Sequence, residues 1–249
     1  MTEPGEGPGG VMLRRMLGVR SGEGSLVDRI VQDLARKIID GSLVPGAVVN
    51  SVELAKNYHS SRTPVREALL ALQQEGLVEI PARHRPRVAP VTLAQVREMY
   101  EVRASLHALV SELIVRDADD AGLAVLRQHH QRLEADALAG DVDAYFWHNV
   151  EFRHAEAEVG GNQELVRMLG SLGLRTLQLR HVSLSLPGRL DRSVADHERL
   201  LGAYADRDAA LAVALTRAII MAGLRAIENS GWSGLRSELP GGLDRAVTA

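Results

Sequence analysis

The stretch Ser61-Arg-Thr-Pro-Val-Arg-Glu-Ala-Leu69 decides the reading of this chain. Ser61 is placed to cap a helix, since its hydroxyl can accept an N–H that has no partner within the helix. Pro64 suits the first turn, where its missing N–H costs nothing. Arg62 and Arg66 lie four residues apart and project from one side of the helix start. With Thr63 between them, two guanidinium forks at a helix N-terminus suit a groove lined by phosphates and base edges. Each fork can grip guanine or a phosphate through two hydrogen bonds. The competing reading of Arg62 and Arg66 is a solvated helix face.

Upstream, Ser51-Val-Glu-Leu-Ala-Lys-Asn-Tyr58 is a short amphipathic helix with Leu54 and Ala55 inward. The few residues between it and Arg62 give helix-turn-helix spacing, the second helix being the reader. Leu26, Ile30, Leu34 and Ile38 recur every four residues, as a third supporting helix requires. Gly41-Ser-Leu-Val-Pro-Gly46 stops that helix. Downstream, Leu77–Ile80 and Pro86–Val91 read as two short strands around a basic tip, Arg83-His84-Arg85. A winged helix-turn-helix is therefore predicted over 25–91, with Ser61, Arg62, Thr63, Arg66, Arg83, His84 and Arg85 as candidate DNA-binding residues. For Arg83, Arg85 and Arg87 a merely charged turn is the alternative.

Charge distribution supports that placement. The 249 residues carry a formal net charge of −3, which is unusual for a nucleic-acid binder. Between Arg62 and Val91, however, five arginines (62, 66, 83, 85, 87) face three acids (67, 75, 79), so attraction to DNA is confined to one surface. The absence of cysteine excludes disulfides and thiolate metal sites and fits a reducing cytoplasm. No apolar run reads as long enough to span a membrane, and Arg14 and Arg15 are not followed by the apolar stretch of a signal peptide.

Residues 1–24, rich in glycine and proline with a basic patch at Arg14, Arg15 and Arg20, read as a disordered arm. From 92 to 230 the pattern is helical, giving a mainly α chain whose second domain is an all-α antiparallel bundle. Thr92 caps a helix to about Asp117 with Val96, Met99, Val102, Leu106 and Val110 along one side. Further helices open at Asp119-Asp120, Gly140-Asp141, Asn162, after Pro187-Gly188, and at Asp208. Residues 231–249 read as a flexible tail. Four of the eight aromatics are Tyr145, Phe146, Trp147 and Phe152. Three consecutive aromatics on one helix are not expected to share one core, since neighbours point about 100° apart. Lining a pocket, facing a partner subunit and plain core packing remain open for them.

The ordered run Ile38–Gly46, Glu53-Leu-Ala55, Ser61–Leu69 and Leu72–Val78 resembles the GntR family of bacterial transcription regulators. Two departures stand out. The family often has glycine at the wing tip, where this chain has Arg83-His84-Arg85, and some members have arginine early in the second helix, where this chain has Val52. The remainder resembles the FadR-like branch, whose helical effector domain is called FCD. Met99–Leu106 is similar to its start, and Phe152 with Gly161-Asn162 to its central helix. Most such domains hold a metal through an acid, a histidine four residues on, and one histidine from each of two later helices. Carried over, those positions fall on Asn149, Arg153, His197 and Ile219. Only His197 matches; a guanidinium cannot bind a metal and isoleucine has no donor atom. A one-residue shift would bring in His154 and leave Ile219. No metal and no cofactor are expected.

If the resemblance holds, Arg103, Arg153 and His197 converge on the cavity, with Arg175 or Arg180 near and Asn149 beside them. These make Arg103, Asn149, Arg153 and His197 the candidate effector-binding residues, for a small carboxylate or phosphate. Unpaired buried cations are costly unless an anion neutralises them. The alternative is that Arg153 pairs with Glu101 or another internal acid beside a small cavity. His129-His130, His148 and His181 read as surface or packing residues without metal-ligand partners at helical spacing. Together these features predict a cytoplasmic homodimeric regulator, a repressor by operator occlusion, that binds a pseudo-palindromic double-stranded DNA operator. Its affinity would change with an effector. Two rivals stay open: a DNA-bound protein-interaction module with no small-molecule effector, and an enzyme with an accessory DNA-binding domain. Against the enzyme, no paired-acid, nucleophile–base or phosphate-loop constellation is visible.

Overall fold

The computed structural model describes residues 8–18, 25–231 and 235–236. The first helix, α1, is Pro8–Met16. The winged helix follows: α2 is Leu26–Ile39, α3 Ser51–Asn57 and α4 Arg62–Gln74, with strands β1 (Val78–Glu79) and β2 (Arg87–Val88). Ser25 and Asp28 cap α2 reciprocally, each side chain accepting the other's backbone N–H. Ile30, Leu34 and Ile38 of α2 are buried together with Val65, Ala68, Leu69 and Leu72 of α4. Burying one face of each helix fixes which face of α4 is left to solvent.

The wing is shorter than its sequence pattern. β1 and β2 pair antiparallel over Val78–Val88 and Glu79–Arg87 only. Val91 and Thr92 form a separate strand, β3, parallel to β4 at Leu235–Arg236. This corrects the reading of 86–91 as one strand. It also corrects the flexible tail at 235–236; the rest of 232–249 lies outside the described residues.

The bundle comprises α5 (Leu93–Asp117), α6 (Asp120–Ala139), α7 (Val142–Val159), α8 (Gln163–Leu184), α9 (Arg189–Ala205) and α10 (Ala209–Asn229). Side chains at the expected positions cap five of them, and α9 starts at Gly188 without a side-chain cap. Thr92 accepts from Gln95 N–H, Asp119 from Gly122, Asp141 from Ala144, Asn162 from Glu164 and Leu165, and Asp208 from Leu211. Along α5, Val96, Met99 and Val110 are buried, but Val102 is 52% exposed and does not belong to the inward stripe. The outer face of α5 is where Val102 lies, seven residues from Leu109.

Three further expectations are corrected. Residues 8–16 are not a disordered arm: Met12 and Leu13 are buried, and Arg15 forms an ion pair with Glu158 of α7. A short glycine-containing segment gains such order from tertiary packing rather than from its own propensity. Tyr145, Phe146 and Trp147 are all buried, because α7 is covered on every side, and α1 supplies the cover over Trp147. A Cβ built on Gly9 would lie 2.3 Å from the Trp147 indole, so only glycine lets α1 approach so closely. Finally, α10 is long and apolar enough to span a membrane, with mean hydropathy 1.8 over 18 residues. In this fold it lies against α5, with Ala212, Leu215, Ile220, Leu224 and Ile227 buried as core residues.

Polar contacts help to tie the winged helix to the bundle. Gln178 Nε2 of α8 donates to the Leu43 carbonyl at 3.4 Å, and Arg36 of α2 meets Asp143 of α7 at 3.3 Å.

Candidate functional site

The solvent face of α4 carries Arg62, Thr63 and Arg66, all exposed, while Val65, Ala68 and Leu69 turn inward. No acid occupies the first turn of α4, so the positive end of the helix dipole is not offset there. Arg62, Thr63 and Arg66 share a groove with Ser51 of α3 and with Ile80 and Pro86 at the base of the wing. Ser51 was not among the residues expected here; it enters because the start of α3 abuts that groove. Ser61 is at the N-cap position, but its side chain makes no capping hydrogen bond, contrary to expectation. Its hydroxyl therefore has no structural task in the first turn of α4.

At the wing, Arg83, His84 and Arg85 are exposed. Arg83 takes a left-handed conformation, φ 64°, at a place where the resembling family often has glycine. His84 Nδ1–H donates to the Ala82 carbonyl at 2.9 Å, which folds the tip back on itself. Arg87 stands apart from these cations. Its guanidinium is held by Glu79 directly across the hairpin, at 2.9–3.0 Å.

The second constellation is buried. Arg103 of α5, Asn149 and Arg153 of α7, His197 of α9 and Ile219 of α10 line one cavity of about 40 Å³, together with Tyr100, Arg180 and Arg189. The four positions carried over from the metal-binding pattern therefore do meet. Their donor set does not suit a divalent cation. Arg153 Nη2 lies 3.0 Å from His197 Nε2, and because a guanidinium only donates, the imidazole lone pair is already taken. The proton of neutral His197 is then on Nδ1, which is buried without a partner. Burial, with Arg153 beside it, pushes the His197 pKa well below the usual imidazole range.

The internal acid that partners Arg153 is Glu156, one helical turn on, at 2.8 Å from Nη1; Glu101 is exposed. The other Glu156 oxygen accepts from Tyr204 OH at 2.9 Å. Each hydroxyl has one proton, so the donors run Thr216 to Ser111 at 2.7 Å, then Ser111 to Tyr204 at 2.8 Å. Glu156 is thereby fully engaged. Arg103 and Arg180 are also buried, and among the described residues neither has a carboxylate within ion-pair distance. Arg180 donates to the neutral Asn149 amide at 3.0 Å, and Arg103 lies over the Tyr100 ring at 5.7 Å. Burial pushes the Arg103 pKa down to about 10 and lowers that of Arg180. His107, beside them, is held well below its usual range by burial and then by Arg103. Tyr100 OH, His107 Nδ1 and Arg189 Nε are buried without hydrogen-bond partners among the described residues.

Arg175 lies elsewhere, against Gly76 in the cleft between wing and bundle. The sequence signal for Glu156 was its i, i+3 spacing from Arg153, a weak one without the fold. The histidine reading is corrected at one position. His130 is 3% exposed and donates from Nε2 to the Val194 carbonyl at 3.2 Å. Its Nδ1 faces Glu134, four residues on, and Glu198 of α9, each at 3.7 Å. It therefore does have acids at metal-ligand spacing. His148 is paired with Asp136 at 2.5 Å, and His181 lies 3.8 Å from Asp143.

The profile of the bacterial regulatory proteins of the gntR family matches residues 26–88, and that of the FCD domain matches residues 98–222. The HTH-type transcriptional regulator YdhC of Bacillus subtilis strain 168 is 26% identical over 168 residues, 67% of this chain and 75% of that protein. The gluconate operon transcriptional repressor of Bacillus licheniformis is 26% identical over 173 residues, 70% of each. McbR of Escherichia coli K12 is 27% identical over 187 residues, 74% of this chain and 84% of that one. A solved structure of E. coli McbR/YncC superposes with a TM-score of 0.70 at 24% identity, covering 83% of this chain and 98% of that one. These are regulators of transcription rather than enzymes.

Proposed function

Because the chain belongs to the GntR family of bacterial transcription regulators and carries an FCD effector domain, we propose that it is a cytoplasmic repressor. It binds a pseudo-palindromic operator as a homodimer and answers to a small anionic effector. The observation that carries the effector class is the charge of the cavity: Arg103, Arg153 and Arg180 are buried around one acid, Glu156, whose two oxygens are already engaged. Buried cations in excess of their counterions are costly, and an anion removes that cost on binding. A carboxylate or phosphate meeting Arg103 and Arg180 would find its partners in place.

DNA reading is assigned to Arg62, Thr63 and Arg66 on α4, with Ser61 beside them, and phosphate contact to Arg83, His84 and Arg85. Arg103, Asn149, Arg153 and His197 are assigned to the effector, and this cavity to no metal. The homodimer reading draws on apolar residues exposed on α5 and α10. Val102 and Leu109 are exposed on α5, Leu211 on α10, and Arg217 of α10 reaches Ser105 between the two α5 residues.

The regulator without a small-molecule effector is favoured by one observation, the small volume at the arginine cluster. Selection of genomic fragments by the purified protein, followed by titration of the recovered operator complex with carboxylates and phosphate, separates the two readings. Release of DNA by an anion at constant ionic strength supports the effector reading. Unchanged affinity across the set supports the other.

A further inference from the structure

The arginine cluster has a second side. Arg103, Arg153 and Arg180 also line an adjoining cavity of about 260 Å³. Its apolar wall is built by Val150 and Ala157 of α7, Val166 and Leu169 of α8, and Met12 and Met16 of α1. Its polar lining, apart from the three arginines, is His107, His154 and Arg15. Arg15 is paired with Glu158, while His107 Nδ1 and His154 Nε2 are buried without hydrogen-bond partners among the described residues. The lining thus combines three arginines and two neutral imidazoles with a wall that is mostly apolar.

We propose that this lobe is a subsite for the apolar part of an amphipathic carboxylate. The carboxylate meets the arginine cluster, and α1 forms the roof over the tail. This inference rests on the reading of the cluster as the anion site and specifies what is attached to the anion. A polyhydroxylated acid would have only His107 and His154 to meet its hydroxyls and would place the others against methionine, valine and leucine side chains that neither accept nor donate, so it would be disfavoured. The volume lies below the roughly 300–1,000 Å³ of sites for drug-sized ligands, so a compact tail fits and a bulky conjugate does not. Methionine suits such a wall, since its unbranched side chain adapts to irregular shapes.

The role of α1 follows from its two contacts. Gly9 seats the helix on Trp147, while Met12 and Met16 face the lobe. Removing α1 from that seat opens the lobe to water and leaves Arg103 and Arg180, which come from α5 and α8, where they are. Trp147 beneath Gly9 also reports whether α1 is seated.

The test is calorimetric titration of the full chain with propanoate, butanoate, hexanoate and octanoate, beside gluconate and inorganic phosphate. Affinity should rise about fourfold per methylene until the lobe is filled, the fold-change corresponding to roughly 0.8 kcal/mol per buried methylene at 25 °C. Gly9→Leu, which forces α1 off Trp147, should flatten that chain-length dependence, shift tryptophan emission to the red, and leave propanoate binding within about twofold. Met16→Glu, which puts a like charge in the lobe without touching the Gly9 seat, should also weaken octanoate far more than propanoate. Circular dichroism establishes that both variants fold. Equal affinity for propanoate and octanoate, or gluconate binding tighter than hexanoate, overturns the apolar subsite and leaves the arginine cluster as an anion site. No binding of any anion by the folded wild-type protein overturns the anion reading and this inference with it.

Discussion

Arg153 donates one hydrogen bond to His197 Nε2 at 3.0 Å and another to Glu156 at 2.8 Å, so one guanidinium consumes both an imidazole lone pair and the acid of the cavity. The proposed anion site follows by exhaustion: what could attract a cation is already used, while Arg103 and Arg180 have no carboxylate partner among the described residues. Glu156→Gln should therefore destabilise the protein by about 3–5 kcal/mol, since it strips Arg153 of its buried counterion. Sulfate or phosphate should restore part of the loss through binding to the native state. Denaturant melts with and without phosphate measure this; an unchanged midpoint in the variant would contradict it.

Stability should fall as the solution is acidified below neutrality. His107 and His197 are held neutral by burial, with folded pKa values well below the usual value near 6.5. The unfolded chain takes up those protons near pH 6.5 and the folded chain does not. Stability is thus complete above that value and is lost as pH falls through it, with a slope approaching ~1.4 kcal/mol per pH unit for each histidine. His129, His154 and His181 are lowered too by partial burial and add to the slope. His107→Gln should flatten it by about one histidine's share between pH 7.5 and 5. An identical slope in the variant would show that His107 does not contribute.

The two DNA elements should be separable. Arg62→Ala and Arg66→Ala should each weaken specific operator binding by about 1–3 kcal/mol, the loss expected for a bidentate base contact. Arg83→Ala and Arg85→Ala should weaken specific and random DNA alike and reduce the salt slope by roughly one. Arg87→Ala should change that slope less, since Glu79 already neutralises it. Fluorescence anisotropy over a salt series reads all three; wild-type operator affinity in both α4 variants would remove the assignment to that helix.

Dimerisation is expected through the outer faces of α5 and α10. Val102→Glu with Leu109→Glu places two charges on that face and should shift sedimentation toward the monomer at micromolar concentration. Operator affinity should drop with it, since a single winged helix reads only one half-site. A variant that still sediments as a dimer would move the interface elsewhere.

Much of the fold was legible because it is written locally. Thr92, Asp119, Asp141, Asn162 and Asp208 each carry an oxygen one turn before an apolar-periodic run, and each caps the helix it announces. The convergence of Asn149, Arg153, His197 and Ile219 came instead from a resemblance, since their spacing alone does not bring three helices together. What escaped depends on long-range contacts. The order of α1 needs Trp147 under Gly9, and the burial of three successive aromatics needs α1 on the outside of α7. Periodicity suggests Val102 as inward, yet it lies on the outer face of α5 and stays exposed. Glu156 carries no sequence signal beyond its spacing from Arg153, because its second partner, Tyr204, comes from α9.

The most direct test of the central claim is operator affinity measured against carboxylate concentration for wild type and Arg103→Met. Arg103 has no carboxylate partner among the described residues, so the substitution breaks no ion pair and removes one uncompensated charge. The account predicts that the variant binds operator as tightly as wild type without effector, and that the carboxylate response seen in wild type is lost. A wild-type response retained in Arg103→Met would contradict it.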